Sequence, residues 1–564
     1  MTGQTGDHES PQKSPPLNTT GHSVSAQRVP PPETPEAIQT RFRVIAAFWI
    51  VIIFLGFPIW WKTTSIYRAH LPIQDMVDWA DGKTCRPVFP LEIQMAAPAM
   101  QLPESQHLVR TTQHALDDLN EFAAHHLRLK LANATGPSDD ATPVVGQIMH
   151  DGPDTALVVR VLSEEGLAAP RSELHAETTQ LDIFYPPSQV PVPSSSNPAL
   201  SVFIAEELQR LYSEEKATIA HILSGDKSGP DSEGISRRLR RSMKYADTYH
   251  LSFSLFTPGA APSSWDIERA VQEYLAPLLF AFSPISNFTI DTQVQLYAKF
   301  SPMAPPPVYD EAESAWTLKK EDLSAFVNAA EWPLNPSIGN GPTLNFILYV
   351  PDPSQSPMVV KENHASSWII PQWGGVFLLN PPLETIGSSG SKINPGHLSQ
   401  DALRPAFMTF SHQLLTLLGT PTSPASLPLR LQSLIRVRAA ALLLSASSTM
   451  GSLARLTESL PSIPIPATVA ASVSKTLSHL SATCTHLREG RFAAALATAR
   501  IAESEAERSF FEKSMVGQVY FPDEHKVAVY LPLLGPVGVP LIVSLLKEVK
   551  RLVAGWKAGR VSKA

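Results

Sequence analysis

Apolar positions divide the chain into three regimes. Between Val44 and Trp61 the sequence VIAAFWIVIIFLGFPIWW runs for eighteen residues without a charge, and between Val527 and Leu546 the sequence VAVYLPLLGPVGVPLIVSLL runs for twenty. Each is about as long as an α-helix must be to cross the hydrocarbon core of a bilayer, so residues 44–61 and 527–546 are predicted transmembrane helices. Between them, over 62–398, short strand-like runs alternate with helical spacing. Strands are expected at 155–162, 180–186, 249–256, 288–300, 344–351 and 374–380, and helices at 108–131, 199–223 and 265–282. That alternation predicts a mixed α/β (α+β) domain. Over 399–526 the pattern is helix only, with Ala/Leu-rich segments at 401–419, 428–455, 466–488 and 491–512, broken at Pro421, Pro424, Pro461 and Gly490. A helical C-terminal subdomain is expected there. No fixed-period repeat of the kind that builds a solenoid is visible.

Charge orients this frame. Lys547, Lys550, Arg551, Lys557, Arg560 and Lys563 follow the second apolar run, with Glu548 the one acid among them. Positive charge beside a span marks the cytosolic side, which places the basic tail 547–564 in the cytosol. The flanks of the first run do not decide, with Arg28, Arg41 and Arg43 before it and Lys62 and Arg68 after it. Two spans return the chain to its starting side, so residues 1–40 are expected to be a cytosolic tail and 62–526 to be lumenal. That tail is rich in Pro, Ser and Thr and too poor in large apolar residues to fold, and it is too long for the front region of a cleaved signal. An uncleaved anchor is expected. Of the three N-x-S/T triplets, at Asn18, Asn133 and Asn287, this topology exposes Asn133 and Asn287 to glycosylation. Pro532, Pro536 and Pro540 recur every fourth residue in the second run, and each removes a backbone donor. Neighbouring helices can satisfy the freed groups, so packing against another membrane subunit is expected at these prolines.

Composition narrows the chemistry. With 564 residues, more than one compact unit is expected. A net charge of −7 offers no basic field for nucleic acid, and 17% charged residues is below the roughly 25% of soluble domains, which fits a surface facing lipid or protein. Thiol chemistry is confined to Cys85, beside Arg86, and Cys484. Neither stands in a protease signature, and in an oxidising lumen they can pair with each other or with a partner. Ser472 and Lys475 fit S-x-x-K, but the companion motifs are missing. His107, His114, His125, His126 and His150 lack zinc-site spacing. Arg237, Arg238, Arg240, Arg241 and Lys244 form the one dense basic cluster and read as a solvated helix face. No phosphate-cradling loop, cofactor motif or metal motif is present. A large lumenal part without a catalytic constellation favours a scaffold or recognition role.

Three separated segments resemble the PIG-S subunit family of the GPI transamidase complex. The first is Trp60-Trp61-Lys62-Thr63-Thr64 with Tyr67-Arg68-Ala69 and Leu71-Pro72. The second runs from Tyr249-His250-Leu251-Ser252-Phe253-Ser254-Leu255 through 290–297 to Pro371-Gln372-Trp373-Gly374-Gly375 and Asn380. The third comprises Glu507, Arg508, Phe510 and Phe511, then 520–526, Tyr530 and the three prolines. The resemblance implies a non-catalytic subunit of an endoplasmic reticulum membrane complex that joins proprotein C-termini to GPI. Its partners would be PIG-K, the caspase-like cysteine protease that carries the chemistry, with PIG-T, GAA1-like and PIG-U-type subunits and membrane lipid. GPI and the proprotein are further candidates for contact. Two other readings stay open: a stand-alone membrane-tethered glycan or lipid receptor, and a lumenal hydrolase using Cys85. Trp373-Gly374-Gly375 reads as a tight turn entering a strand before it reads as a pocket rim.

Overall fold

The computed structural model describes residues 34–64, 67–132, 153–190, 199–224, 232–298, 305–323, 326–327, 341–386, 391–461, 463–515 and 523–561. Two units are distinct, Met1–Ile66 with Phe521–Ala564 and Tyr67–Tyr520. The first apolar run lies in α1 (Pro35–Val51), which continues through a π-type turn at Ile52–Gly56 into a last helical stretch, Phe57–Thr64. The wide turn precedes Pro58, whose missing N–H breaks the regular ladder. The helix begins nine residues ahead of Val44, with Pro35 in its first turn, where a missing donor costs nothing. Among the described residues one helix, Pro35–Ile59, is long and apolar enough to cross a membrane, and none of its apolar window is buried.

The larger unit opens with the short helix α2 (Ile73–Ala80) and is built around two five-stranded sheets. The first is built from β1 (Phe89–Ala96), β2 (His125–Leu131), β3 (Thr155–Ser163), β4 (Arg171–Leu174) and β5 (Gln180–Tyr185), in the order β2-β1-β3-β5-β4. Helix α3 (Leu102–Asp118) joins β1 to β2, and β5 leads into α4 (Ala199–Leu211), α5 (Ser213–Ser224) and α6 (Ser232–Arg241). The second sheet is built from β6 (Thr248–Phe256), β7 (Asn287–Gln295), β8 (Thr343–Tyr349), β9 (Ser367–Ile370) and β10 (Gly374–Leu378), in the order β7-β6-β8-β10-β9. Helix α7, over 267–282, joins β6 to β7, and α8 (Gln400–Leu417) follows β10.

The two sheets share one topology. In each, the first strand pairs in parallel with the second and the third, the third pairs in parallel with the fifth, and the fourth is an antiparallel edge. In each, the helix after the first strand packs against the helix after the fifth, α3 on α4 and α7 on α8. This is a repeat of topology. No sequence period marks it, because the second copy carries insertions, including a three-stranded sheet of Val308–Asp310, Ala315–Leu318 and Met358–Val360. That small sheet covers the second face of β8 and β10. Leu344, Phe346 and Leu348 enter one core while Ile347 and Tyr349 enter the other, as period-two alternation demands.

The C-terminal helices are α9 (Leu427–Ser459), α10 (Ala467–Arg488), α11 (Phe492–Phe510) and α12 (Asp523–Val561). Helices α9 to α11 form one hydrophobic core with the first sheet: Phe89, Leu91, Ile93, Val159 and Ile183 pack with Ala446, Met450, Leu480, Leu496 and Ala499. Helix α9 also reaches the second core through Leu431 and Leu434.

The helix expected over 108–131 is corrected. It ends at Asp118, and residues 125–131 form the parallel strand β2. The sequence HHLRLKL alternates between inward and outward positions, a period of two that the neighbouring helical spacing masked. Strands β1, β2, β4 and β9 and those of the small three-stranded sheet lie where the sequence pattern predicts none. The others lie within two residues of the expected starts, and helix 199–223 is split at Tyr212.

Gly374 and Gly375 enter β10 where its neighbours come closest. A Cβ on Gly374 would lie 1.8 Å from the backbone oxygen of Asn345, and one on Gly375 would lie 1.9 Å from Oε1 of Gln413. This stretch is therefore a turn and strand entry set by close backbone approach. Gly374→Ala must push β8 and β10 apart and is expected to destabilise the larger unit by about 1–3 kcal/mol, read as an earlier denaturation midpoint with unchanged slope.

Candidate functional site

An open cavity of about 520 Å³ lies beside the second sheet. Its walls are Asp247 and Asn287 on one side, Lys475 of α10 on another, and Ala497, Arg500, Ile501, Ser504 and Glu505 along one face of α11. The α11 residues recur at helical spacing, so one stripe of that helix faces the opening. The Lys475 ammonium donates to Glu505 at 2.7 Å, and the Ser472 hydroxyl donates to the same carboxylate at 2.8 Å. These bonds, Lys475 foremost, hold the Glu505 carboxyl below the usual carboxylate range. Arg500 donates to the Tyr245 hydroxyl and the Ile285 carbonyl, with Asp247 at 3.5 Å. Two cations face two carboxylates, so the formal charge of the cleft sums to zero.

The S-x-x-K pair is thereby placed in a structural ion pair. Both side chains donate to the one Glu505 carboxylate rather than to each other. Cys85 and Cys484 are joined by a disulfide with Cα atoms 6.2 Å apart, each less than a tenth exposed. A sulfur in that bond is not a thiolate nucleophile. The basic cluster separates onto different partners. Arg237 pairs with Glu233 at 2.7 Å, Arg238 with Glu214 and the Thr218 hydroxyl, and Lys244 with Glu507 at 2.7 Å. In open α/β sheets ligands favour the crevice at the carboxyl ends of strands where the order reverses. At that point β6 and β8 stay paired past their ends: Val350 N–H donates to the Phe256 carbonyl at 2.9 Å, and Thr257 is fully buried.

A buried charge cluster was missed in the sequence. Arg436 on α9 donates through Nε and Nη2 to both oxygens of Glu215 on α5, at 2.5 and 2.7 Å. His125 of β2 lies 3.5 Å from the same carboxylate, and Phe492 lies beneath the guanidinium at 5.3 Å. Arg436 and Glu215 are 2% and 3% exposed. Burial alone pushes the Glu215 carboxyl up, but the charge and hydrogen bonds of Arg436, with His125, more than reverse this and hold it well below the carboxylate range.

Of the predicted sites, Asn133 lies outside the described residues, as does Asn18. Asn287 is exposed and opens the edge strand β7. Pro532, Pro536 and Pro540 lie inside α12 and are exposed. Arg41 of α1 donates to Glu548 of α12 at 2.8 Å, and Glu548 is 7% exposed. Several residues of the three familiar segments have structural roles. Arg68 donates to the Thr457 carbonyl at 2.9 Å and to that of Pro461, a cation on the last carbonyls of α9. The Asn380 amide takes up both backbone groups of Met358, at 2.8 and 3.0 Å.

Comparison with known proteins places these features in one family. Residues 47–555 match PIG-S, described as the phosphatidylinositol-glycan biosynthesis class S protein. The chain belongs to the PIG-S family. A GPI-anchor transamidase component PIGS of Bos taurus is 27% identical over 556 residues, covering 91% of this chain and 96% of the relative. The GPI transamidase component PIG-S homolog of Schizosaccharomyces pombe is 27% identical over 546 residues, covering 94% and 87%. The GPI transamidase component GPI17 of Saccharomyces cerevisiae is 24% identical over 526 residues, covering 89% and 91%. The match runs from inside α1 into α12, so family membership extends over both units and not only over the sheets.

Two outcomes follow from the geometry. Cys85→Ser releases a loop closed across 399 residues. It is expected to cost about 2–5 kcal/mol, read as a lower melting temperature together with a mobility shift between reduced and non-reduced wild-type chain that the variant lacks. Glu215 has a depressed folded pKa, so its stabilisation is complete above the unfolded value of about 4.3 and is lost as pH falls below it. Glu215→Gln should lower stability at neutral pH by about 3–5 kcal/mol, the cost of leaving Arg436 unpaired, and should flatten the acid limb of a stability–pH curve.

Proposed function

We propose that the chain is a non-catalytic, two-span subunit of GPI transamidase in the endoplasmic reticulum membrane, with both termini cytosolic and residues 62–526 lumenal. The observation that carries this reading is the family match along 47–555, with relatives named as GPI transamidase components over about nine tenths of the chain. The Cys85–Cys484 bond supports a lumenal location, since such bonds persist in oxidising compartments. The Arg41–Glu548 pair supports the two-span topology. Arg41 lies just before the first apolar run and Glu548 just after the second, so their contact brings both outer ends to one side. Helix α12 has 39 residues and a length of about 58 Å, ample for a core of about 30 Å.

A scaffold role follows from what the candidate chemistry is used for. Cys85 is held in a disulfide, and Lys475 and Ser472 are held by Glu505. The thioester chemistry then belongs to a PIG-K-type protease partner, with PIG-T, GAA1-like and PIG-U-type subunits completing the complex. In α12 the prolines at 532, 536 and 540 leave the carbonyls of Ala528, Pro532 and Pro536 without their i+4 donors. This row is the proposed packing face for another membrane subunit.

Purification of the tagged full-length chain from its native membranes in mild detergent, followed by mass spectrometry of what remains bound, tests the proposal. Near-stoichiometric recovery of a caspase-like cysteine protease with multi-spanning proteins is expected. Recovery of the chain alone, where other membrane complexes survive, would overturn it in favour of a stand-alone receptor.

A further inference from the structure

Asn287 combines two properties that arise independently. It is the acceptor of Asn287-Phe288-Thr289, and it forms one wall of the neutral cleft beside α10 and α11. It is the first residue of β7, an edge strand paired within its sheet to β6, so its side chain leaves from an open edge. Its backbone N–H is fixed by the Asp247 carbonyl at 2.8 Å, which sets the point of departure.

The cleft suits a sugar better than an ion. Its formal charges cancel, so it offers no net field to a phosphate or carboxylate. It does offer carboxylate acceptors in Glu505 and Asp247 and cationic donors in Lys475 and Arg500, all within a volume that falls among small-molecule sites. At its side Ile501, 39% exposed, and Ala497 provide an apolar strip for a pyranose face or an N-acetyl methyl group.

We propose that the cleft is the seat of the chain's own N-glycan, with the first sugars on Asn287 lying against α11 and tying the edge of the second sheet to the α10–α11 pair. The inference rests on the lumenal reading above. The amide Nδ2 of Asn287 displaces the diphosphate lipid from C1 of a lipid-linked oligosaccharide, forming the N–C bond as the C–O bond breaks and losing one proton. Afterwards the sugar hydroxyls exchange hydrogen bonds with the polar walls.

The test uses the full-length chain in its membrane complex from glycosylating cells, with three readouts: peptide mass spectrometry at Asn287, the rate of amidase release of the glycan from native and from heat-denatured protein, and hydrogen exchange over 497–505. The expected result is an occupied Asn287, native release at least tenfold slower than denatured release, and faster exchange over 497–505 in Asn287→Gln. Ile501→Glu, an exposed position that leaves the core intact, should abolish the native protection. An unoccupied Asn287 would overturn the inference and leave the lumenal reading standing on the family match and the disulfide. An occupied Asn287 with equal release rates, or with protection that Ile501→Glu leaves unchanged, would overturn the seating alone.

Discussion

Helix α9 is buried twice, and the arrangement of the larger unit depends on that. Leu431 and Leu434 enter the core of the second sheet, and Val437 through Ala454 enter the core of the first. Arg436 lies just past Leu434, on a helix whose Leu429 already belongs to the first core, so it sits where the two cores share α9. A guanidinium there would be costly alone. Both Glu215 oxygens and the Phe492 ring answer it, His125 faces the same Glu215 carboxylate, and each comes from a different element. The cluster fixes the rotation and height of α9 relative to α5, β2 and α11 in a way that interchangeable Leu and Ala contacts do not. The Cys85–Cys484 bond then anchors α10 to the segment ahead of β1, so the two ends of the larger unit are tied across one core.

How much of this was legible follows from the range of each signal. The strands buried on both faces, such as YHLSFSLF and LNFILYVP, stand out because long apolar runs between turn residues need no knowledge of neighbours. The strand β2 did not, since its polar outward positions and its closeness to α3 let one helical pattern cover both. The edge strands β4 and β9 are short, and none of their positions is fully buried, which leaves little periodicity to read. The doubled topology was invisible for a different reason: strand order is set by long-range pairing, and insertions in the second copy destroy any sequence period.

Site residues divide in the same way. Sequons and cysteines are visible as residue types, but the proximity of Cys85 to Cys484, 399 residues apart, is a property of the fold. The same holds for Arg436 and Glu215, which look in sequence like ordinary charges on two amphipathic helices. The basic cluster was read as one face because five cations are close in sequence. In the fold Arg237, Arg238 and Lys244 turn to separate acids, within α6 itself, on α5 and on α11. The familiar motifs had a further content that sequence could not supply: Arg68 caps α9, Gly374 permits the approach of β8, and Asn380 replaces a strand neighbour for Met358.

These roles bear on the proposed scaffold reading. Caps, close-contact glycines and buried ion pairs contribute little to chemistry but fix a surface to within a fraction of an ångström, which a scaffold needs if several partners are to dock on it at once. A hydrolase would concentrate its irregular features around one crevice. Here the ends of β6 and β8 stay paired, the cysteines are spent on a covalent tie, and the open polar cleft carries balanced charge. The irregular features are instead spread along the joints between elements, at the end of α9, at the entry to β10 and between α5 and α9. That distribution is what a rigid docking platform requires, and it connects the fold to the proposed role in assembly more directly than any single residue does.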